Sequence, residues 1–373
     1  MNKTGYCGKG DLYRNAYYFL GLLIDSEKMP CVIDFIEETC NYEQFIPKYL
    51  VTVNLHYVFS SLKDEKFREI VLNADRCSPD GMPLVWVSRF LNIPIYERVT
   101  GADLLPELIE RKFDRNYKIF MFGSTHNSLE RASKIIDSES KSLRVADFLS
   151  PEFGDVYDLS KDEYIKRINQ ANADILFISL DAEKALKWID LNRSKLNVKF
   201  ICQIGASIDF LSGKLKRAPR WMQYMGFEWL YRFRLEPLKL WKRYLIDICL
   251  LIFIFLVKLL PCKLLYVCKK INKFREEHLS FKQTENEQSV NVKINGTINK
   301  LNINKAREYF LELLKKERNI EFDLSELGII DNMGLGLFQL LNNIMKQKNK
   351  NVKYRSMRKC VSCVAKCNFF KFK

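Results

Sequence analysis

The 373-residue sequence lacks the marks of a secreted or disulfide-bonded protein. Met1 to Asp11 is polar and contains no apolar segment of the kind that opens a secretory signal. The eleven cysteines show neither even pairing nor compact spacing, so we expect free thiols in a reducing cytoplasm. One cluster, Cys360-x-x-Cys363-x-x-x-Cys367, has no fourth ligand and no neighbouring histidine. It favours a helix face carrying small apolar thiols over a metal site.

A long apolar run is also missing. The stretch from Tyr244 to Leu260 contains an uninterrupted apolar run of only ten residues (248–257), whereas a membrane-spanning helix needs roughly 20. Pro261 follows it, and basic residues flank both ends: Lys242, Arg243, Lys263, Lys269, Lys270 and Lys273. Because basic flanks suit anionic head groups, we expect a helix that lies on or dips into a membrane surface. A buried helix is the alternative.

Positive charge is abundant and concentrated in one segment. The chain carries a net charge of +15, and the segment from Lys214 to Arg275 holds fifteen Lys and Arg against three acidic residues, a net of +12. Such a cluster indicates a polyanionic partner, which is a nucleic acid, a phosphorylated substrate or an anionic lipid surface. Nucleic acid is disfavoured because no RRM, KH or helix-turn-helix signature is visible and an apolar decamer interrupts the basic region.

The order of predicted elements indicates an α/β fold. In the first part of the chain, strands are predicted at 49–54, 118–122, 174–179 and 198–204, with helices at 56–73 and 127–136. Polar or glycine-containing loops follow these strands, as they do at the ligand-binding edge of an open parallel sheet.

A second, smaller α/β unit is predicted after a polar linker at 274–286. Its strands are expected at 289–294, 320–324 and 352–356, its helices at 304–316 and 334–346, and a final helix follows. The expected domains are therefore 1–240, a membrane-associating segment with linker at 241–285, and a small domain at 286–373.

Polar groups that could form a site follow several strands. Thr52 and Asn54 end the first predicted strand, and Asp80 lies in a Ser-Pro-Asp-Gly turn. These groups can converge on one crevice, although a lone Asp-Gly is usually only a turn.

Two further turns are candidates. The segment 97–103 contains Arg98, Gly101 and Asp103, which also fit an N-cap with a surface ion pair. Gly123 and Ser124 precede a helix, where free backbone N–H groups can seat a phosphate.

The segment 214–237 is the strongest signal. It interleaves Trp221, Trp229 and Tyr231 with several polar residues, namely Arg217, Arg220, Gln223, Glu228, Arg232 and Arg234. Arginines beside aromatic rings can stack bases and clamp phosphates, and the same chemistry suits the diphosphate of a nucleotide-sugar. A merely solvated basic face would not need three large aromatic side chains.

Six ordered motifs make the chain resemble the WecG/TagA/CpsF family of bacterial glycosyltransferases. They are VTVN (51–54), ADRCSPDG (74–81), ERVTGADL (97–104), IGASIDFLSG (204–213), KRAPRWMQ (216–223) and GFEWLYRFRLEP (226–237). The resemblance covers about residues 17–245. It implies a Rossmann-like parallel sheet and transfer of N-acetylmannosamine, or its uronic acid, from a UDP-sugar to a polyprenyl-diphosphate-linked acceptor. The reaction would invert the anomeric centre and use no metal or other cofactor.

The resemblance also implies roles for individual residues. Asp80 matches the family's general base, which would deprotonate the acceptor hydroxyl, and Thr52 and Asn54 match positions lining the same pocket. Arg217, Arg220 and Arg232 match a C-terminal appendage, where they would neutralise charge on the departing UDP. The other expected substrate contacts are Arg98, Gly101, Asp103, Gly123, Ser124, Lys184, Gly205, Asp209, Gln223 and Glu228. The appendage would also meet the membrane, which places the protein on the inner face of the plasma membrane.

One stretch departs from the family. Many members carry Gly-x-Pro-Lys-Gln-Glu-x-Trp-Ile, thought to hold the nucleotide, where this chain has DAEKALKWI at 181–189. The Gly, the Pro and the Gln-Glu pair are missing, which puts donor specificity in question. The alternative function is an inactive membrane-bound scaffold that presents a C-terminal interaction module.

The C-terminal unit resembles a STAS domain over about residues 286–372. The resemblance rests on Phe322-Asp-Leu-Ser325 and on Ile330-Asp-Asn-Met-Gly-Leu-Gly336. Regulatory members carry a phosphorylatable Ser after the Asp, where this chain has Asn332, so no phospho-switch is expected. The helix starting near Gly334 is expected to offer a docking surface for a protein partner.

Overall fold

The structure is a computed structural model that describes residues 11–43, 46–261, 264, 278–286 and 288–372, without the side chain of Lys239. By its contacts the chain divides into two compact units. The large unit comprises Glu27–Val87 and Ile95–Tyr244, and the small unit comprises Met1–Ser26, Ser88–Pro94 and Leu245–Lys373. Of the predicted basic flank, Lys263, Lys269, Lys270 and Lys273 lie outside the described residues.

Strands and helices alternate along most of the chain. The strands are β1 (Ala16–Phe19), β2 (Leu22–Asp25), β3 (Lys48–Val53), β4 (Arg76–Pro79), β5 (Tyr117–Gly123), β6 (Leu143–Leu149), β7 (Ile175–Ser179), β8 (Phe200–Gln203), β9 (Leu279–Glu285), β10 (Ser289–Ile298), β11 (Asn319–Ile330) and β12 (Val352–Arg355). The first eight helices are α1 (Met29–Asn41), α2 (Leu55–Lys63), α3 (Glu65–Leu72), α4 (Met82–Phe90), α5 (Gly101–Glu110), α6 (His126–Glu139), α7 (Asp162–Gln170) and α8 (Ala182–Asn192). The others are α9 (Ser207–Leu211), α10 (Arg220–Tyr224), α11 (Glu228–Leu235), α12 (Pro237–Ile254), α13 (Ile303–Lys315), α14 (Asn332–Gln347) and α15 (Lys359–Cys367).

The large unit is built on one parallel sheet of six strands in the order β4-β3-β8-β7-β5-β6. Its central strands are almost continuously apolar because helices cover both faces of such a sheet. The predicted α/β fold with a parallel sheet is confirmed. The connections after β5 and β7 lead to opposite sides, to β6 and to β8, so these two neighbouring strands flank a topological switch point. Strands β3 and β8 are also neighbours in the sheet.

The helix predicted at 56–73 is wrong as a single element. It is two helices, α2 and α3, which meet at Asp64. The Asp64 carboxylate accepts a hydrogen bond from the Phe67 backbone N–H at 3.0 Å, which caps the second helix. Strands β4 and β6 were not predicted, since the first is four residues long and the second is interrupted by Arg144 and Asp147.

The small unit contains the expected C-terminal sheet, of four strands in the order β12-β11-β10-β9. Strands β10, β11 and β12 are parallel, and β9 pairs antiparallel with β10. The linker predicted at 274–286 is therefore wrong for 279–285, which form the edge strand β9. The segment was predicted as a linker because it is polar, but an edge strand tolerates polar side chains on its open side.

The N-terminal hairpin of β1 and β2 belongs to the small unit and packs on helix α14. The Asn332 side chain donates to the Tyr18 carbonyl oxygen at 2.8 Å and to Asn368 Oδ1 at 2.8 Å. Gly336 lies so close to the hairpin that a Cβ there would overlap the Ala16 carbonyl oxygen. Residues 332–338 are all buried. The docking surface expected near Gly334 is thus covered by the chain's own hairpin, a contact between segments some three hundred residues apart.

This packing predicts an unusual effect for Gly336→Ala. In an ordinary helix, Gly to Ala gains up to about 1 kcal/mol. Here the added methyl group meets backbone that cannot move aside cheaply, so we expect a net loss of about 1–3 kcal/mol. Thermal unfolding measures this loss of stability, with Lys346→Ala on the same helix as the control. A higher melting temperature for Gly336→Ala would contradict the close packing of hairpin and helix.

Candidate active site

Polar side chains meet at the carboxyl ends of the neighbouring strands β3 and β8. Thr52, at the end of β3, donates to Gln203 Oε1 at 3.4 Å, and the Tyr57 hydroxyl donates to the same oxygen at 3.0 Å. Asn54 uses its side-chain oxygen to cap helix α2, accepting from the backbone N–H of His56 at 3.0 Å. Gln203 was not predicted as a site residue, although a lone polar residue at the end of an apolar strand was a visible signal.

Asp80 lies at the same edge, immediately after β4. Its backbone N–H donates to the Val53 carbonyl at 2.7 Å, which fixes the turn beside the end of β3. Gly81 follows with a φ of +103°, a conformation that favours glycine. The carboxylate is only partly exposed, and no side chain of the described residues forms a hydrogen bond or ion pair with it.

The surroundings raise the pKa of Asp80 to about 6. Burial is the largest cause because it disfavours the charged form. The positive charges of Arg98 and Arg232 oppose that effect, whereas the negative charges of Glu228 and Asp103 add to it. A carboxyl group in this state can exchange a proton near neutral pH, as a general base requires.

A ring of four charged side chains joins the start of α5 to the appendage at 214–237. Arg98 donates to Glu228 Oε2 at 2.7 Å and lies 3.4 Å from Asp103 Oδ2. Arg217 pairs with Asp103 on one side and with Glu228 Oε1 at 3.5 Å on the other. Each cation thus contacts two carboxylates, and each carboxylate contacts two cations. All four are partly buried, so the ring positions the appendage against the motif that contains Arg98.

The other predicted appendage residues are not gathered in this ring. The Arg232 guanidinium lies 5.7 Å from the centre of the Phe210 ring and acts on Asp80 through its charge. Arg220 is exposed at the first residue of α10. The Gln223 side chain donates to the Ala218 carbonyl at 2.6 Å and so closes a local turn.

A second group of predicted residues surrounds the ends of β5, β7 and β8. Gly123 has a φ of +100°, and a Cβ there would overlap the Ser179 carbonyl oxygen. The Ser124 backbone N–H donates to that oxygen at 2.9 Å, and its hydroxyl donates to Asp209 Oδ1 at 2.8 Å. The Ser124 N–H is therefore used within the protein, and any phosphate seat here depends on the N–H groups that open α6.

Two glycines lie near the end of β8, one with a positive φ and one at a close backbone approach. The Ser179 hydroxyl donates to the carbonyl of Gly205, whose φ is +52°. A Cβ on Gly101 would lie 3.0 Å from the Ile204 backbone, so the start of α5 packs directly on the strand end.

The stretch 181–187, which differs from the family sequence, forms the start of α8. The Asp181 carboxylate accepts from the Lys184 N–H at 3.4 Å, and the Ser60 hydroxyl donates to Glu183 at 2.9 Å. The Lys184 ammonium donates to the Gly154 carbonyl at 2.9 Å. In the part of the chain that the structure describes, no three His, Cys, Asp or Glu side chains are grouped so that they could hold a metal ion.

A sequence model of the glycosyl transferase WecG/TagA/CpsF family matches residues 17–263. The N-acetylglucosaminyldiphosphoundecaprenol N-acetyl-beta-D-mannosaminyltransferase of Bacillus subtilis strain 168 is 30% identical over 214 residues, which are 57% of this chain and 80% of that protein. Proteins of the same name from Bacillus spizizenii and Staphylococcus aureus MRSA252 are each 24% identical, over 56% and 60% of this chain and 79% and 85% of their own lengths.

The matched region contains the parallel sheet, the Asp80 turn, the charged ring and the appendage. On this match over most of its length, the chain belongs to the WecG/TagA/CpsF family of glycosyl transferases.

Proposed function

We propose that this protein transfers N-acetylmannosamine, or its uronic acid, from a UDP-sugar to a polyprenyl-diphosphate-linked GlcNAc acceptor in bacterial surface polysaccharide synthesis. The observation that carries the proposal is the Asp80 carboxylate, whose pKa is raised to about 6 and which lies without a side-chain partner at the ligand-binding edge of the sheet. The names of the relatives support the acceptor and the sugar.

In the proposed reaction Asp80 takes the proton of the acceptor hydroxyl as that oxygen attacks the anomeric carbon. The bond from this carbon to the diphosphate breaks, and the nucleotide leaves with the bonding electrons. Arg232 and Arg220 would stabilise the negative charge that develops on the diphosphate. Arg98 and Arg217 would act indirectly, since their guanidinium groups already bind Asp103 and Glu228.

A single displacement by the acceptor inverts the anomeric centre. The product formed from an α-linked donor should therefore carry a β-linkage. The one-bond carbon–hydrogen coupling at C1 of the purified product measures this by NMR. An α-linked product would contradict attack by an acceptor that Asp80 deprotonates, and would require a covalent or otherwise two-step route.

We propose that helix α12 and the appendage place the protein on the membrane surface. Within the described residues, no helix combines the length and the apolar content needed to cross a bilayer. Helix α12 nevertheless exposes many apolar side chains, namely Leu238, Trp241, Leu245, Ile246, Ile248, Ile252 and Phe253. Its buried side includes Leu240, Asp247 and Ile254, so the apolar surface faces solvent. Such a surface, which follows the appendage arginines in the sequence, fits an interfacial helix on anionic lipid.

Charge placed on this face should weaken membrane binding. Leu245 and Ile252 are 54% and 55% exposed, so Leu245→Glu with Ile252→Glu should fold normally. Loss of two inserted apolar side chains should lower the vesicle-bound fraction by at least about tenfold. Sedimentation with phosphatidylglycerol-containing vesicles measures the bound fraction, and the control is the double variant Tyr42→Glu with Leu301→Glu, whose side chains are even more exposed. Equal binding of the two double variants would contradict the proposal.

We propose that the four-stranded sheet of the small unit is a STAS-type module. The Asp331 carboxylate accepts from the Gly334 N–H at 2.8 Å and caps α14, which supports the alignment of 330–336 with the STAS motif. With the start of α14 under the N-terminal hairpin, a protein partner of this module would have to use another face.

A further inference from the structure

The side-chain amide of Gln203 is held by its oxygen and free at its nitrogen. Gln203 ends strand β8 and is only 5% exposed. Its Oε1 accepts hydrogen bonds from the Tyr57 hydroxyl at 3.0 Å and from the Thr52 hydroxyl at 3.4 Å. Within the part of the chain that the structure describes, no atom accepts a hydrogen bond from its Nε2. A buried amide donor without an acceptor costs free energy until a ligand supplies one.

Gly205 leaves the space beside this nitrogen open. A Cβ built on Gly205 would lie 3.5 Å from Gln203 Nε2, and apart from the chain neighbours of the glycine no other described atom lies within 4 Å of that position. Because Gly205 has no side chain, a ligand atom can approach Nε2 from this side. A larger residue at position 205 would cover the nitrogen.

The hydroxyl groups that hold Gln203 belong to the same crevice as Asp80. Burial raises the pKa of the Tyr57 hydroxyl, and the negative charge of Asp80 adds to this rise. Tyr57 therefore keeps its proton and donates it to Gln203 Oε1, so the amide nitrogen points away from Tyr57. Asp80 follows β4 and Gln203 ends β8, two strands apart in the sheet. At about 4.8 Å per strand this is about 10 Å, a distance that a sugar ring with one substituent arm covers.

We propose that Gln203 Nε2 donates to the acetamido carbonyl oxygen of a substrate sugar and so determines specificity for acetamido sugars. This inference rests on the proposed function, in which the donor and the acceptor sugar both carry an acetamido group. A carbonyl oxygen accepts hydrogen bonds without donating one, which suits a group that presents only N–H donors. A hydroxyl in place of the acetamido group is too short to reach the same position. The donor would then stay unpaired, and this penalty is the source of the discrimination.

The test compares substrates that differ only in the acetamido group, with the full-length protein. The donor pair is UDP-ManNAc and UDP-mannose, and the acceptor pair is a polyprenyl-diphosphate-GlcNAc analogue and its glucose counterpart. For one pair, Gln203→Met should lower the ratio of kcat/KM values, acetamido over hydroxyl substrate, about 5- to 100-fold. The pair that responds identifies the sugar that Gln203 contacts. Gln203→Glu keeps an oxygen for Thr52 and Tyr57 but lacks the amide N–H donors, so it should lower the same ratio.

A second pair of variants separates the amide from a general loss of packing. Tyr57→Phe removes one of the two hydroxyls that position Gln203, and it should lower the ratio by a smaller factor. Tyr49→Phe is the matched control, since it removes another buried hydroxyl, which donates to the Ile70 carbonyl at 2.6 Å. This control should leave the ratio unchanged.

Two results would overturn the acetamido subsite while the proposed function stands. In the first, Gln203→Met transfers sugar with unchanged ratios for both substrate pairs. In the second, the ratio falls in Gln203→Met but not in Gln203→Glu, which means that the substrate contacts an oxygen rather than an N–H group. Absence of transfer by the unmodified protein from every donor would overturn the proposed function itself, and the subsite with it.

Discussion

Asp80→Asn is expected to lower kcat by about 10²- to 10⁴-fold, the usual contribution of a general base. Asparagine has nearly the shape of aspartate but cannot accept the proton of the acceptor hydroxyl. Donor binding should be retained, because no side chain of the described residues depends on the Asp80 carboxylate for a hydrogen bond or ion pair. Single-turnover transfer with a saturating acceptor analogue measures the loss, and UDP titration is the control for donor binding.

Asp80→Asn should lower kcat without lowering the stability of the folded protein. The folded protein raises the pKa of Asp80 to about 6, above its value in an unfolded chain, so the folded state holds the proton more tightly. Stability contributed by this group is present at low pH and is lost as the pH rises toward 6. Above pH 6 the buried charge is a cost that asparagine removes. We therefore expect an unchanged or higher melting temperature at pH 8. Full turnover by this variant, or a lower melting temperature, would contradict the role of Asp80.

Arg98 and Glu228 should shift the pH dependence of the reaction in opposite directions. For the unmodified protein, activity should rise with pH through about 6, as Asp80 ionises. The positive charge of Arg98 lowers the pKa of Asp80, and the negative charge of Glu228 raises it. Arg98→Met should therefore move the acid limb to higher pH, and Glu228→Gln should move it to lower pH. A shift of about one pH unit corresponds to 1.36 kcal/mol of interaction.

The profile of kcat/KM against pH measures these shifts. Arg131→Ala, an exposed arginine on α6 of the same unit, is the control and should leave the limb in place. Arg98→Met and Glu228→Gln each also remove two ion pairs of the ring, so both should lower the maximum rate. If the ring had a purely structural role, only the maximum rate should fall, and the pH dependence should stay the same. If the acid limbs of the two variants stay in place, or move in the same direction, the electrostatic coupling to Asp80 is contradicted.

The sequence predicted the elements whose signals are local. Strands β3, β5, β7 and β8 are apolar runs, and the turn after each of them is polar or contains glycine. Asp80 was identified because its turn forms part of a family motif, whereas the turn alone would not have distinguished it. The elevated pKa of this group was not predictable, since it depends on burial and on charges that come from two other segments, 97–104 and 226–237.

Contacts between distant segments could not be predicted from sequence patterns. The ring of Arg98, Asp103, Arg217 and Glu228 joins the segment 97–103 to the appendage at 214–237, which the sequence analysis had treated separately. Gln203 enters the site only because β8 returns beside β3. Likewise the hairpin that covers Asn332 and Gly336 comes from the start of the chain, and no periodicity near either segment indicates the other.

Acceptor-dependent release of UDP is the decisive measurement of the proposed transferase activity. Purified protein would be given UDP-ManNAc, UDP-ManNAcA, UDP-GlcNAc or UDP-Glc, each with and without a polyprenyl-diphosphate-GlcNAc analogue. We expect UDP release from a ManNAc-type donor only when the acceptor is present, and loss of that release in Asp80→Asn. No release from any donor, together with no binding of UDP-sugars, would contradict the transferase account and favour a membrane-bound scaffold.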